Sequence, residues 1–119
     1  MSNELTVAIK IAFSKSNVGE EVYSYAKAIT VDGDCFVHGT QSIGTTEEEI
    51  AQLADLGTPG WVLLINQDAT NYVEVGKSTG VYTVKMEAGE PALFRLDGTA
   101  LLAKANTDAC VVEYFIFED

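Results

Sequence analysis

Cysteine, histidine, tryptophan, proline and basic residues are all scarce in this chain: two, one, one, two and seven among 119 residues. Each scarcity excludes something. Two cysteines, Cys35 and Cys110, are no disulfide framework, although a single bridge is open if their strands adjoin. Both sit in apolar runs, where a free cysteine acts as a small buried hydrophobe. Cys35, His38 and Cys110 offer three zinc donors without the paired Cys-x-x-Cys or His-x-x-x-His spacing of a structural site. One histidine is too few for a cupin-like metalloenzyme. Acid-base chemistry on His38 would need a positioned partner, and Cys35, three residues away on an extended strand, faces the other side.

The seven basic residues (Lys10, Lys15, Lys27, Lys77, Lys85, Arg95 and Lys104) are scattered, and 18 acidic ones outnumber them, for a formal net charge of −11. Nucleic acids are bound through clustered lysine and arginine, so direct nucleic-acid binding is disfavoured, as is docking on an anionic membrane. The acidity reads as solubility and mutual repulsion before assembly, or as an acidic face matched to a basic partner. Long apolar runs are also missing. The most apolar, Trp61 to Ile65, has five residues, against the ~20 of a spanning helix. The start Met1-Ser2-Asn3-Glu4 lacks a basic, then apolar, signal-peptide pattern, and the expected setting is cytosolic.

What is present is apolar strand sequence. Hydrophobic residues make up 47% of the chain, enough to offset the entropy of ordering, and the length suits one domain over residues 1–119. Short β-type runs recur between turn residues, as in a sandwich or barrel. From Leu5 to Phe13, Leu5, Val7, Ile9, Ile11 and Phe13 alternate with Thr6, Ala8, Lys10 and Ala12, which sends one set inward. Val22 to Thr30 makes a second strand. Asp32-Gly33-Asp34 is a reverse-turn signal expected to pair that strand with a third, Cys35 to Ile43. Trp61 to Asn66 reads as a central strand covered on both faces. Tyr72–Val75, Val81–Met86, Ala92–Leu96, Ala100–Ala105 and Cys110–Phe117 follow between turns. The termini, by position alone, are expected to be the least ordered parts.

Thr45 to Leu56 is ambiguous. A capping-box-like start and the spacing of Ile50, Leu53 and Ala54 suit a short helix, whereas a strand would put Ile50 and Leu53 on opposite faces. The class that fits the whole is all-β: a two-sheet antiparallel β-sandwich of about eight to nine strands, jelly-roll-like in topology.

Motifs for chemistry are weak. Asp32, Asp34 and Asp55 are loop oxygens, but they lack the spaced ladder of a calcium loop. Val75-Gly76-Lys77-Ser78-Thr79-Gly80 lacks the leading glycine of a phosphate loop and reads as a hairpin turn. Glu47-Glu48-Glu49 could supply a glycosidase dyad, though consecutive carboxylates more often form a solvated face. Trp61 and Tyr72 could stack on sugar rings, and core packing is their commoner role. No catalytic, cofactor-binding or metal residue is assigned from these patterns.

Residues 55–66 (DLGTPGWVLLIN), 68–76 (DATNYVEVG) and 88–96 (AGEPALFRL), followed by Glu113-Tyr114 and an apolar, acidic-ended tail, resemble a group of small virion structural proteins of tailed bacteriophages. The resemblance implies a non-enzymatic β-sandwich present in many copies, as a head decoration or accessory protein or a connector or tail component. It implies other virion proteins and further copies of the chain as partners, assembly in a host cytoplasm, and no cofactor. It also favours an extended Thr45–Leu56 segment. The alternative is a carbohydrate- or receptor-binding β-sandwich.

Overall fold

A computed structural model describes residues 3–50 and 56–119. The chain divides into two compact units, one ending at Asp32 and one running from Gly33 to Asp119. The architecture is all-β and antiparallel, with ten strands among the described residues.

The first unit is a two-stranded hairpin, β1 (Leu5–Lys15) and β2 (Gly19–Ile29). The strands pair in unbroken register from Leu5↔Ile29 to Lys15↔Gly19. Asn17 and Gly19 take the left-handed φ values, 69° and 121°, that close the turn, and the Val18 amide donates to the Lys15 carbonyl at 3.1 Å. The expected pairing of the second strand with the third is overturned. Val22–Thr30 pairs back onto the first strand because the Ser16–Val18 turn joins nearer neighbours than Asp32-Gly33-Asp34 does.

The second unit is a sandwich of two four-stranded sheets. One has the order β3 (Phe36–Ile43), β10 (Cys110–Glu118), β5 (Pro59–Asn66), β8 (Pro91–Arg95). The other runs β4 (Glu48–Glu49), β9 (Leu102–Ala105), β6 (Val73–Gly76), β7 (Val84–Met86). Period-two alternation builds the core between them. Ile43, Val62, Leu64, Val112 and Ile116 from the first sheet meet Val73, Val75, Met86, Ala103 and Ala105 from the second, all essentially without solvent contact. Burying each such valine, leucine or isoleucine is worth roughly 1.5–3 kcal/mol.

Two further expectations change. β5 is not covered on both faces: Val62, Leu64 and Asn66 are buried, while Trp61, Leu63 and Ile65 on the outer face are half-exposed. The carboxy-terminal residues, expected to be loose, are tied down. The Glu118 amide donates to the Cys35 carbonyl at 3.0 Å and the Asp119 amide to the Thr58 carbonyl at 2.7 Å. The Glu118 carboxylate accepts from the Asp34 amide at 2.7 Å and from the Gly57 amide, and Arg95 binds Asp119. Gly33 and Asp34 therefore receive the end of β10. A Cβ on Gly33 would lie 1.9 Å from Glu118 Oε1, so any larger residue there has to push that side chain aside. Within Thr45–Leu56, Glu48–Glu49 is extended and the Ile50 amide donates to the Leu101 carbonyl at 2.8 Å. Leu53, Ala54 and Asp55, on which the helical reading and a possible calcium donor rested, lie outside the described residues.

Candidate functional site

Two members of the acidic triplet, Glu47 and Glu48, are bound into the fold through their carboxylates, and Glu49 is exposed. Glu47 accepts hydrogen bonds from the Tyr82 hydroxyl at 2.5 Å and the Gly80 amide at 2.8 Å. These bonds, Tyr82 first, hold the Glu47 carboxyl below the usual carboxylate range. The same bond pushes the Tyr82 phenol up to about 12. Glu48 accepts from Gln41 Nε2 at 3.0 Å and the Gly44 amide at 2.9 Å. Val75–Gly80 is the turn the sequence suggested: the Val81 amide donates to the Ser78 carbonyl at 3.0 Å, with Gly80 at φ 74°.

His38 lies on the outer face of the β3-β10-β5-β8 sheet. Its Nε2 is 2.8 Å from Glu113 Oε2, and its ring stacks on Phe115 at 3.9 Å between centroids. Cross-strand register puts Phe115 directly opposite His38. Gln67 Nε2 donates to the other Glu113 oxygen at 3.1 Å. Cys35 faces the core side, packed against the hydrophobic cluster. The β3–β10 register pairs Cys110 with Ile43, and the Cys35 carbonyl meets Glu118. The two thiols therefore sit at opposite ends of one strand pair, far beyond disulfide reach, and both are free. Cys35, His38 and Cys110 do not converge.

Trp61 and Tyr72 are both half-buried. One face of the Tyr72 ring carries the Lys85 ammonium, 4.3 Å from the centroid, in a cation–π contact. A cleft of about 220 Å³ opens between Val84, Phe94 and Leu101, with Lys77 and Asp97 at its rim. Its two cations are engaged: Lys77 Nζ donates to the Asp97 carbonyl at 2.7 Å, and Arg95, also in the lining, pairs with Asp119.

The hairpin carries the longest series of exposed apolar side chains. Directly paired residues share a face, so Leu5, Val7, Ile9, Ile11 and Phe13 lie beside Ile29, Lys27, Tyr25, Tyr23 and Glu21. The sequence reading sent the β1 set inward; here Ile9, Ile11, Phe13, Tyr23 and Tyr25 are 43–61% exposed. The opposite face carries the small residues Ala8, Ala12, Ser24, Ala26 and Ala28. Through Asp32 the chain has three lysines against four acids, leaving ten of the eleven net negative charges on the second unit. A signal for this surface was present in the sequence. Glu21 and Lys27 share parity with Tyr23 and Tyr25, so β2 could not bury that face whole.

Asn66 was missed because it ends an apolar run. It is fully buried. Its Nδ2 donates to the carbonyls of Asn71, Met86 and Glu87 at 2.9–3.2 Å, and its Oδ1 accepts from the Asp68 amide at 3.0 Å. It fastens the end of β5 to the loop after β7. Asp68 caps the same turn through the Asn71 and Thr70 amides, which hold its carboxyl below the usual range.

Compared with models of known protein families, with curated proteins and with solved structures, the chain gives no match.

Proposed function

We propose that this protein is a non-enzymatic structural subunit that acts through protein–protein contacts in many copies, in the virion of a tailed bacteriophage. The position would be head decoration or accessory, or connector or tail component. The observation that carries the assembly role is the open apolar face of the β1–β2 hairpin. A two-stranded ribbon is marginally stable by itself in water, and exposed apolar surface of that extent marks a contact surface. The outer face of the β3-β10-β5-β8 sheet adds exposed Phe36, Leu93 and Val111.

Strand order supports the virion setting at the level of architecture. Numbered from β3, the two sheets read 1-8-3-6 and 2-7-4-5, which we read as the interleaved wrap of a jelly roll, an architecture common to capsid and lectin domains. Fold alone assigns no function. The virion setting itself rests on the resemblance of residues 55–66, 68–76, 88–96 and Glu113-Tyr114 with the tail that follows. Partners in this reading are further copies and other virion proteins, brought together in a host cytoplasm. Quantitative mass spectrometry of purified particles should recover the chain at a fixed, multi-copy stoichiometry. Its absence from intact particles would defeat the proposal.

A further inference from the structure

We propose that the apolar face of the β1–β2 hairpin binds the same face of a second copy, stacked antiparallel about a two-fold axis that crosses the hairpin between Ile9 and Ile11. This deepens the assembly reading by naming the surface and its occupant.

The argument starts from the positions of the charges. Along β2 the face reads Glu21, Tyr23, Tyr25, Lys27, with the acid towards the turn and the base towards the open end. A two-fold axis lying in the face and perpendicular to the strands reverses strand direction while keeping β2 over β2. Tyr23 of one copy then lies over Tyr25 of the other, and Lys27 lies over Glu21, twice by symmetry. On β1, Ile9 meets Ile11 and Val7 meets Phe13. Lys15, at the turn end, falls over Leu5, where its aliphatic stem covers apolar surface while the ammonium stays in water. An isologous interface must be self-complementary in this sense; stacking tip over tip, about an axis along the strands, would instead lay β2 over β1 and set Glu21 over Phe13 and Lys27 over Val7, leaving both charges without a partner.

The alternative acceptor within the chain is the outer face of the four-stranded sheet, and its charges are already engaged. His38 is paired with Glu113, and Arg95 with Asp119. The ion pairs among the described residues all lie in the second unit, so Lys27 and Glu21 enter the stack without giving up a partner.

Size agrees. From Leu5 to Phe13 the face is ~27 Å long and two strands, ~10 Å, wide. Its five large side chains, of roughly 150–250 Å² each, stand about half open. Stacking two faces removes on the order of 1,000 Å² in total, the lower bound of a specific interface. The hairpin segment is itself near neutral, so the stacked faces add little to the repulsion between two acidic chains.

The test is sedimentation of the full chain from micromolar to submillimolar concentration. A concentration-dependent dimer is expected. Lys27→Glu and Glu21→Lys should each weaken it by about tenfold or more, since each replaces two attractive contacts with two repulsive ones. The double exchange should restore the wild-type constant to within about threefold, and Ile11→Asp, at the centre, should weaken it by about a hundredfold. Far-ultraviolet circular dichroism and the sandwich's unfolding transition, unchanged in every variant, separate lost contact from lost folding. A chain that stays monomeric overturns the proposal. So does an oligomer indifferent to Ile11→Asp, which would place the contact on the four-stranded sheet, and so does one that responds to Ile11→Asp but is not rescued by the double exchange. Stoichiometric recovery from particles alongside a monomer in solution would sink the stacking and leave the assembly role standing; a dimer missing from every particle would do the reverse.

Discussion

The hairpin and the sandwich are written in the same two-residue code and put it to different uses. In β1, Leu5, Val7, Ile9, Ile11 and Phe13 alternate as cleanly as any stretch of the chain, yet the larger of them stand in solvent. In β5 and β10 the same alternation sends Val62, Leu64, Val112 and Ile116 into a closed layer. The difference lies in what faces each strand. β5 has neighbours on both edges and a second sheet against one face, whereas β1 pairs with β2 alone, in a sheet of two strands. Alternation specifies a face and leaves open what will cover it.

The comparison breaks most visibly in the core. Leu64→Ala should destabilise the sandwich by about 2–5 kcal/mol, read as a shift of the urea midpoint, while Ile11→Ala should move that midpoint by less than about 0.5 kcal/mol. Equal shifts would mean that hairpin and sandwich unfold as one unit, and the contrast would fail. Asn66→Leu comes next. It keeps the volume but strands three carbonyls and one amide, at a cost of about 2–4 kcal/mol. Gly33→Ala forces Glu118 away from the Asp34 and Gly57 amides and should cost about 1–3 kcal/mol; Gly19→Ala in the hairpin meets no atom, though its positive φ is strained, and should leave the urea midpoint in place.

The smallest effect is spectroscopic. One of the five tyrosines should ionise late, near the value of about 12 assigned to Tyr82, and Glu47→Gln should return it towards the ordinary value of ~10. The signs follow from the direction of each shift. Tyr82, raised, stabilises the fold fully below the unfolded phenol value, and that contribution is lost as pH rises through about 12. Glu47 and Asp68, depressed, stabilise it above the ordinary carboxyl range and lose that contribution as pH falls through their lowered values. A sandwich whose acid midpoint did not respond to Glu47→Gln would contradict the assignment.

Much of the fold was legible in the residues because strand periodicity and turn chemistry are local. The run from Tyr72 to Phe117 gives its strands nearly in place, and Val75–Gly80 reads as the turn it is. Pairing is not local, which is why Asp32-Gly33-Asp34 looked like a hairpin turn. Nothing near it in sequence reveals that Glu118 will arrive to accept its amide. Asn66 was hidden for the same reason, since its partners come from loops up to twenty-one residues away. The hairpin face was half legible: Leu5–Phe13 announced a strand, but only Glu21 and Lys27, read at the parity of Tyr23 and Tyr25, hinted that the strand would stay uncovered.

The central place of β10 in its sheet has a consequence for how the molecule is made. β3 and β5 are separated until Cys110–Glu118 slides between them, so during synthesis neither can complete its ladder before that segment emerges. The hairpin needs only a three-residue turn and closes in microseconds. At ribosomal speed it precedes the sandwich by on the order of ten seconds. For that interval a nascent chain offers a ribbon that closes and reopens ahead of an open-edged remainder, and a product cut short before residue 110 would never leave that state.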